Sequence, residues 1–88
     1  MQTSENMLDG PYQILGKAIR SERKLNKLTQ TDLARLSNTG INFISQLERG
    51  KETLRLSSLM SVLKVLGLEL NIQRGKNLVT ISERLKGR

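Results

Sequence analysis

The apolar positions of this chain change period along its length, and the changes mark its elements. From Tyr12 to Leu25, the residues Ile14, Leu15, Ala18 and Ile19 recur at helical spacing, and Lys17, Arg20, Arg23 and Lys24 fill much of the remaining surface. Pro11, after Asp9-Gly10, suits the first turn of that helix, where the amide it lacks would go unpaired anyway. A short helix is predicted over Gln30–Ser37, with Leu33, Ala34 and Leu36 as its apolar positions. Thr29 precedes it as an N-cap, and Asp32 completes a box-like pattern three residues later. Asn38-Thr39-Gly40 reads as a turn, since Asn and Gly both accept positive φ. A third helix follows over Ile41–Arg49, with Ile44 and Leu47 inward, and Gly50 is placed to stop it in a left-handed conformation.

The fourth helix, Leu56–Leu66, carries Leu56, Leu59, Met60, Val62, Leu63, Val65 and Leu66. A stripe that wide exceeds what a small three-helix layer can cover, so part of it is expected to meet a second subunit. Gly67 ends the helix, and the period then falls to two. Leu68-Glu69-Leu70-Asn71-Ile72-Gln73 alternates as a half-buried strand does. Arg74-Gly75-Lys76-Asn77 can turn the chain, and Leu78-Val79-Thr80-Ile81 can return as a second strand. A lone short hairpin is marginal in water. Pairing across a two-fold axis would lengthen the ladder, so Leu63, Leu66, Leu68, Leu70 and Ile72 are the expected dimer contacts. Residues 1–11 read as a flexible tail, 12–67 as the helical domain, 68–82 as the dimerisation segment and 83–88 as a basic tail.

Composition narrows the chemistry. The 88 residues suffice for one domain. With one Phe, one Tyr and no Trp, the core must be aliphatic, which favours helices over a sandwich or barrel. The absence of Cys and His excludes disulfides, thiolate nucleophiles, most zinc sites and His-based triads. Paired carboxylates and phosphate-binding loops are also missing from the sequence, so the chain does not read as an enzyme and no cofactor or metal is expected. No apolar run is long enough to span a membrane. The polar first residues are unlike a signal peptide, and the cytoplasm is the expected compartment. The net charge of +7 points to a polyanionic partner.

Candidate chemistry concentrates in residues 30–49. Two helices crossing steeply through a short turn need a small residue where they meet, here Ala34, and inward anchors, here Ile44 and Leu47. That leaves Ile41, Asn42, Ser45, Gln46 and Arg49 on an outward face of a kind that enters the DNA major groove. Asn42 and Gln46, four apart, can pair with adenine N6 and N7. Ser45 can serve a base or a phosphate, and Ile41 can touch a thymine methyl. Thr29, Gln30, Thr39, Phe43, Arg49 and Lys51 are the expected backbone contacts, with Thr39 read as the cap of the third helix. Arg20, Arg23, Lys24 and Lys27 can lengthen the phosphate track, and Glu48 reads as structural, paired with Arg35 or capping backbone. The competing reading is ordinary solvated surface for the polar and charged residues, packing under the turn for Ile41, and a cover over the helix pair for Phe43.

From Thr29-Gln30 to Leu47-Glu48-Arg49-Gly50-Lys51, within residues 12–67, the chain resembles the helix-turn-helix family of Cro and lambda repressor. Leu66-Gly67-Leu68-Glu69-Leu70 more narrowly resembles the HipB-type antitoxins. The resemblance implies a mostly α fold: a four- to five-helix domain with a C-terminal strand, or hairpin, that pairs across a homodimer. It also implies a double-stranded, palindromic operator, repression of the chain's own operon, and a HipA-like Ser/Thr kinase toxin as protein partner. Gln30 would contact a phosphate while bracing the recognition helix. A phage-type or metabolic regulator without a toxin is an alternative. So is a protein-only neutralising module, against which the amide-bearing face and the charge argue.

Overall fold

The computed structural model describes residues 9–72 and 79–83. Four helices, α1 (Pro11–Leu25), α2 (Gln30–Ser37), α3 (Ile41–Glu48) and α4 (Leu56–Leu66), precede two strands, β1 (Leu68–Ile72) and β2 (Val79–Glu83). The tail residues 1–8 and 84–88 and the turn expected at 74–77 lie outside the described residues.

Local chemistry sets the helix ends. α1 starts at Pro11, and the Gly10 amide donates to Gln13 Oε1 at 2.9 Å. α2 opens with a reciprocal cap: the Asp32 amide donates to Thr29 Oγ1 at 3.0 Å and the Thr29 amide to Asp32 Oδ2 at 2.9 Å. α1, α2 and α3 each close through a left-handed residue, Lys27 (φ 59°), Asn38 (φ 58°) and Gly50 (φ 87°). In each case the following amide bonds back into the last turn: Leu28 to the Arg23 carbonyl at 3.1 Å, Thr39 to Ala34 at 2.9 Å, and Lys51 to Gln46 at 3.0 Å. Gly40, expected to share the left-handed role with Asn38, is extended at φ −99°, so Asn38 alone turns the chain between α2 and α3.

Ile19 of α1, Leu33 and Ala34 of α2, Ile44 and Leu47 of α3, and Leu59, Val62, Leu63 and Leu66 of α4 form one core, with Leu68 of β1 at its edge. Ile14 and Leu36, among the apolar positions of α1 and α2, are exposed. The buried side of α1 runs through Gly16, Ile19 and Arg23, which rotates Ile14 toward solvent. Gly16 lets α1 touch the last turn of α3. A Cβ there would stand 2.5 Å from the Leu47 carbonyl oxygen and 2.7 Å from that of Glu48.

β1 pairs antiparallel with β2 of the same chain, Leu68 opposite Glu83 through Ile72 opposite Val79. The return strand expected after β1 is therefore present, over Val79–Glu83. Leu63, Leu66 and Leu68 are buried within one chain, and Leu70 packs against the same core. Ile72, in contrast, is 85% exposed, and Leu56, Met60 and Val65 of α4 are exposed as well. The surplus apolar surface expected of α4 is therefore present, carried by Leu56, Met60 and Val65 and not by Leu63 and Leu66, while Ile72 of β1 is exposed as a dimer contact would be.

Candidate nucleic-acid interface

α3 buries Ile44 and Leu47 and turns its other side outward, with Ile41 and Asn42 exposed and Ser45 and Gln46 half-buried. Gly40 occupies its cap position, where Thr39 was expected. No side chain bonds the cap, and no acid stands in the first turn. The first amides of α3 and the positive end of its dipole are thus left to pair with an anion. The Thr39 hydroxyl shares a hydrogen bond of 2.9 Å with Ser37, whose hydroxyl also donates to the Leu33 carbonyl at 2.7 Å.

A buried network fixes the far end of α3. Arg23 Nε donates to Glu48 Oε2 at 2.7 Å, Nη2 donates to Oε1 at 3.0 Å, and Nη1 donates to the Leu28 carbonyl at 2.8 Å. The Arg23 and Glu48 side chains are only 10% and 4% exposed. The Glu48 carboxylate raises the Arg23 guanidinium above its ordinary pKa, against the opposing effect of burial. Glu48 therefore pairs with Arg23 and not with Arg35, which instead meets Asp32 of its own helix at 3.2 Å. Sequence reasoning counted Arg23 among the exposed cations. Its register with Gly16 and Ile19 was the available signal that it belongs to the inner face.

Glu48 Oε1 also accepts from Gln30 Nε2 at 3.1 Å. The Gln30 amide is thereby oriented, with its carbonyl oxygen and second N–H uncommitted by that bond. Beside it lies a shallow depression lined by Arg20, Gln30, Ser45, Glu48 and Arg49. A second depression follows α1 past Lys17, Arg20, Ser21 and Lys24, where Lys17 also pairs with Asp9 at 2.7 Å. Arg20 borders both, so a basic track joins α1 to the end of α3. Lys24 and Lys27 are exposed along α1 and the turn behind it.

Past α3, Arg49 Nη1 donates to Ser45 Oγ at 2.8 Å, and Lys51 Nζ donates to Gln46 Oε1 at 3.4 Å. Both cations therefore lie against the outward face of the helix. Thr29 is exposed, and its hydroxyl accepts from the Asp32 amide. Phe43, for which a sugar or methyl contact and a cover over the helix pair were both open, is half-buried and packed against the core. Asn42, Ser45, Gln46, Gln30, Arg49 and Lys51 thus gather on one side of the molecule with Arg20, while Phe43 does not join them. Among the described residues no helix is long and apolar enough to cross a membrane.

Comparison with known proteins agrees with this geometry. Residues 19–73 match the family model described as "Helix-turn-helix" (HTH_3). An uncharacterized HTH-type transcriptional regulator, y4mF, from Sinorhizobium fredii is 36% identical over 58 residues, which are 66% of this chain and 76% of that protein. Two crystal structures of the clp gene regulator ClgR from Corynebacterium glutamicum, each 36% identical over 64% of this chain, superpose with TM-scores of 0.58 and 0.57. The chain spans 60% of the first of these and 73% of the second. The packing of α2 against α3 across the Asn38 turn, together with these matches, places the chain in the Cro/lambda-repressor-like helix-turn-helix family of DNA-binding transcription regulators.

Proposed function

We propose that this chain is a sequence-specific repressor that binds double-stranded DNA as a homodimer on a palindromic operator. The observation that carries this reading is the outward face of α3, where Asn42, Ser45 and Gln46 stand beside exposed Ile41 and are flanked by Arg20, Gln30 and Arg49. Ile41, Asn42, Ser45 and Gln46 would read base edges. Gln30, held by Glu48, would meet a phosphate with Arg20, Arg49, Thr29, Thr39 and the open amides of α3. Two such helices about 34 Å apart would enter successive major-groove turns on one side of a duplex. The exposed Leu56, Met60 and Val65 of α4 and Ile72 of β1 offer apolar surface for the two-fold contact.

A finer reading rests on Leu66-Gly67-Leu68-Glu69-Leu70 and its likeness to HipB-type antitoxins. In that reading the chain autoregulates its operon in the cytoplasm and binds a HipA-like kinase toxin. A kinase-like reading frame adjoining the gene, with a product that copurifies with the chain, supports the finer reading, and its absence removes it.

Fluorescence anisotropy on the chain's own promoter and on random duplex tests the main reading. Asn42→Ala is expected to weaken promoter binding by about 1–3 kcal/mol and to leave random DNA nearly unchanged. Arg49→Ala is expected to weaken both and to flatten the salt dependence. Equal affinity of the parent chain for promoter and random DNA contradicts the reading.

A further inference from the structure

Gln46 and Lys51 are joined twice. Gly50, at φ 87°, doubles the chain back so that the Lys51 amide donates to the Gln46 backbone carbonyl at 3.0 Å. The Lys51 ammonium then reaches the same residue's side chain, Nζ to Oε1 at 3.4 Å. An ammonium carries donors only, so the amide oxygen faces it; the amide NH2 stays free, and the oxygen keeps its second lone pair beside a cation. Next to Gln46, Ser45 Oγ accepts from Arg49 and keeps its hydroxyl proton to donate. The C-terminal half of the recognition face therefore presents the Gln46 NH2, the Ser45 hydroxyl proton and two cations, a set of donors.

We propose that Gln46 and Lys51 act as one unit that selects a guanine in each operator half-site, with Lys51 a specificity-determining residue. The proposal rests on the DNA-binding reading above. It moves Lys51 from the phosphate backbone to a base edge, and it replaces the adenine pairing that Gln46 suggests when taken alone. In the major groove guanine presents two acceptors, N7 and O6, whereas adenine presents one acceptor and one donor. An unencumbered glutamine amide matches adenine, its oxygen accepting from N6 and its NH2 donating to N7. Here the Lys51 cation stands at that oxygen. It repels the N6–H donor of adenine and attracts O6 of guanine, so the pair matches N7 and O6 together. Lys51 is exposed, and its side chain can be altered without opening the core.

The test is selection of duplexes from a random pool by the full chain, by Lys51→Met, which keeps the apolar stem and removes the charge, and by Gln46→Ala. The parent chain is expected to enrich a site with one guanine per half-site that depends on Gln46. Changing that guanine to adenine or to 7-deazaguanine should lower affinity at least ~5-fold. Lys51→Met should shift the same position toward adenine and leave the other positions unchanged. The proposal is overturned if Lys51→Met keeps the same guanine, if it weakens all sequences alike as a phosphate contact would, or if the parent chain selects adenine where Gln46 reads. Enrichment of no sequence by any of the three proteins would instead overturn the DNA-binding reading itself.

Discussion

Replacing Glu48 with Gln keeps the shape of the side chain and one oxygen to accept from Arg23 Nη2 and Gln30, but it removes the charge that faces the Arg23 guanidinium and sets an NH2 donor against Arg23 Nε. The two side chains are 10% and 4% exposed, so water screens the pair little. Removing one partner of a buried pair costs about 3–5 kcal/mol, because the other charge is left uncompensated. The lower half of that range applies here, since Arg23 keeps its bond of 2.8 Å to the Leu28 carbonyl. Domains hold about 0.05–0.15 kcal/mol of stability per residue, so the loss is a large share of what a chain of 88 residues has. At ~4 °C or more per kcal/mol, Glu48→Gln should lower the melting temperature by at least ~12 °C in far-UV circular dichroism. The double variant Arg23→Met/Glu48→Leu should recover most of that stability, because apolar groups of similar volume replace a buried pair at little net cost. It should not recover DNA affinity, since Gln30 loses the carboxylate that orients it. A loss below ~1 kcal/mol for Glu48→Gln, judged against the range for a buried pair, or wild-type DNA affinity in the double variant, refutes this reasoning.

The remaining predictions concern the same scaffold. Gly16→Ala should destabilise the domain by about 1–3 kcal/mol in urea titration, because the added Cβ meets the Leu47 and Glu48 carbonyls and this outweighs alanine's helix preference of about 1 kcal/mol. An unchanged midpoint would mean that α1 and α3 can separate freely. Thr29→Ala should cost about 1 kcal/mol by the same titration, through loss of the α2 cap. The Asp32 carboxyl is held below its ordinary pKa of 3.8, first by the Thr29 amide, then by the Thr29 hydroxyl and by Arg35. Its folded pKa being depressed, its contribution is complete above that ordinary value and is lost as pH falls below it and through the lower folded value. Asp32→Asn should therefore flatten the acid limb of stability against pH, and an unchanged limb would contradict the cap.

The helices were legible because each boundary had a local cause: Pro11 for α1, Thr29 and Asp32 for α2, Asn38 and Gly50 for the turns around α3. Lys27 at φ 59° was not legible, since a lysine carries no sign of left-handed backbone and only the chain's need to reach Leu28 explains it. The outward residues of α3 followed from its inward ones. Their couplings did not, because Arg49 to Ser45 and Lys51 to Gln46 depend on how Gly50 folds the chain back. Arg23 was missed because a charge at the edge of a helical stripe reads as solvated until a buried acid is brought to it from 25 residues away. That Leu63, Leu66 and Leu68 belong to the chain's own core was missed for a related reason. Alternation in Leu68, Leu70 and Ile72 shows that one face is buried but not against which partner, and the chain's own core claims Leu68.

The most direct test of the central claim is a titration of the isotope-labelled chain with a promoter duplex, followed by amide and side-chain NMR shifts. The account predicts that the largest changes fall on Ile41, Asn42, Ser45 and Gln46 and on the Gln30 and Asn42 side-chain amides, with Leu59 and Val62 of the core unmoved. Changes confined to the exposed α4 surface around Leu56 and Met60, or none on α3, would contradict it.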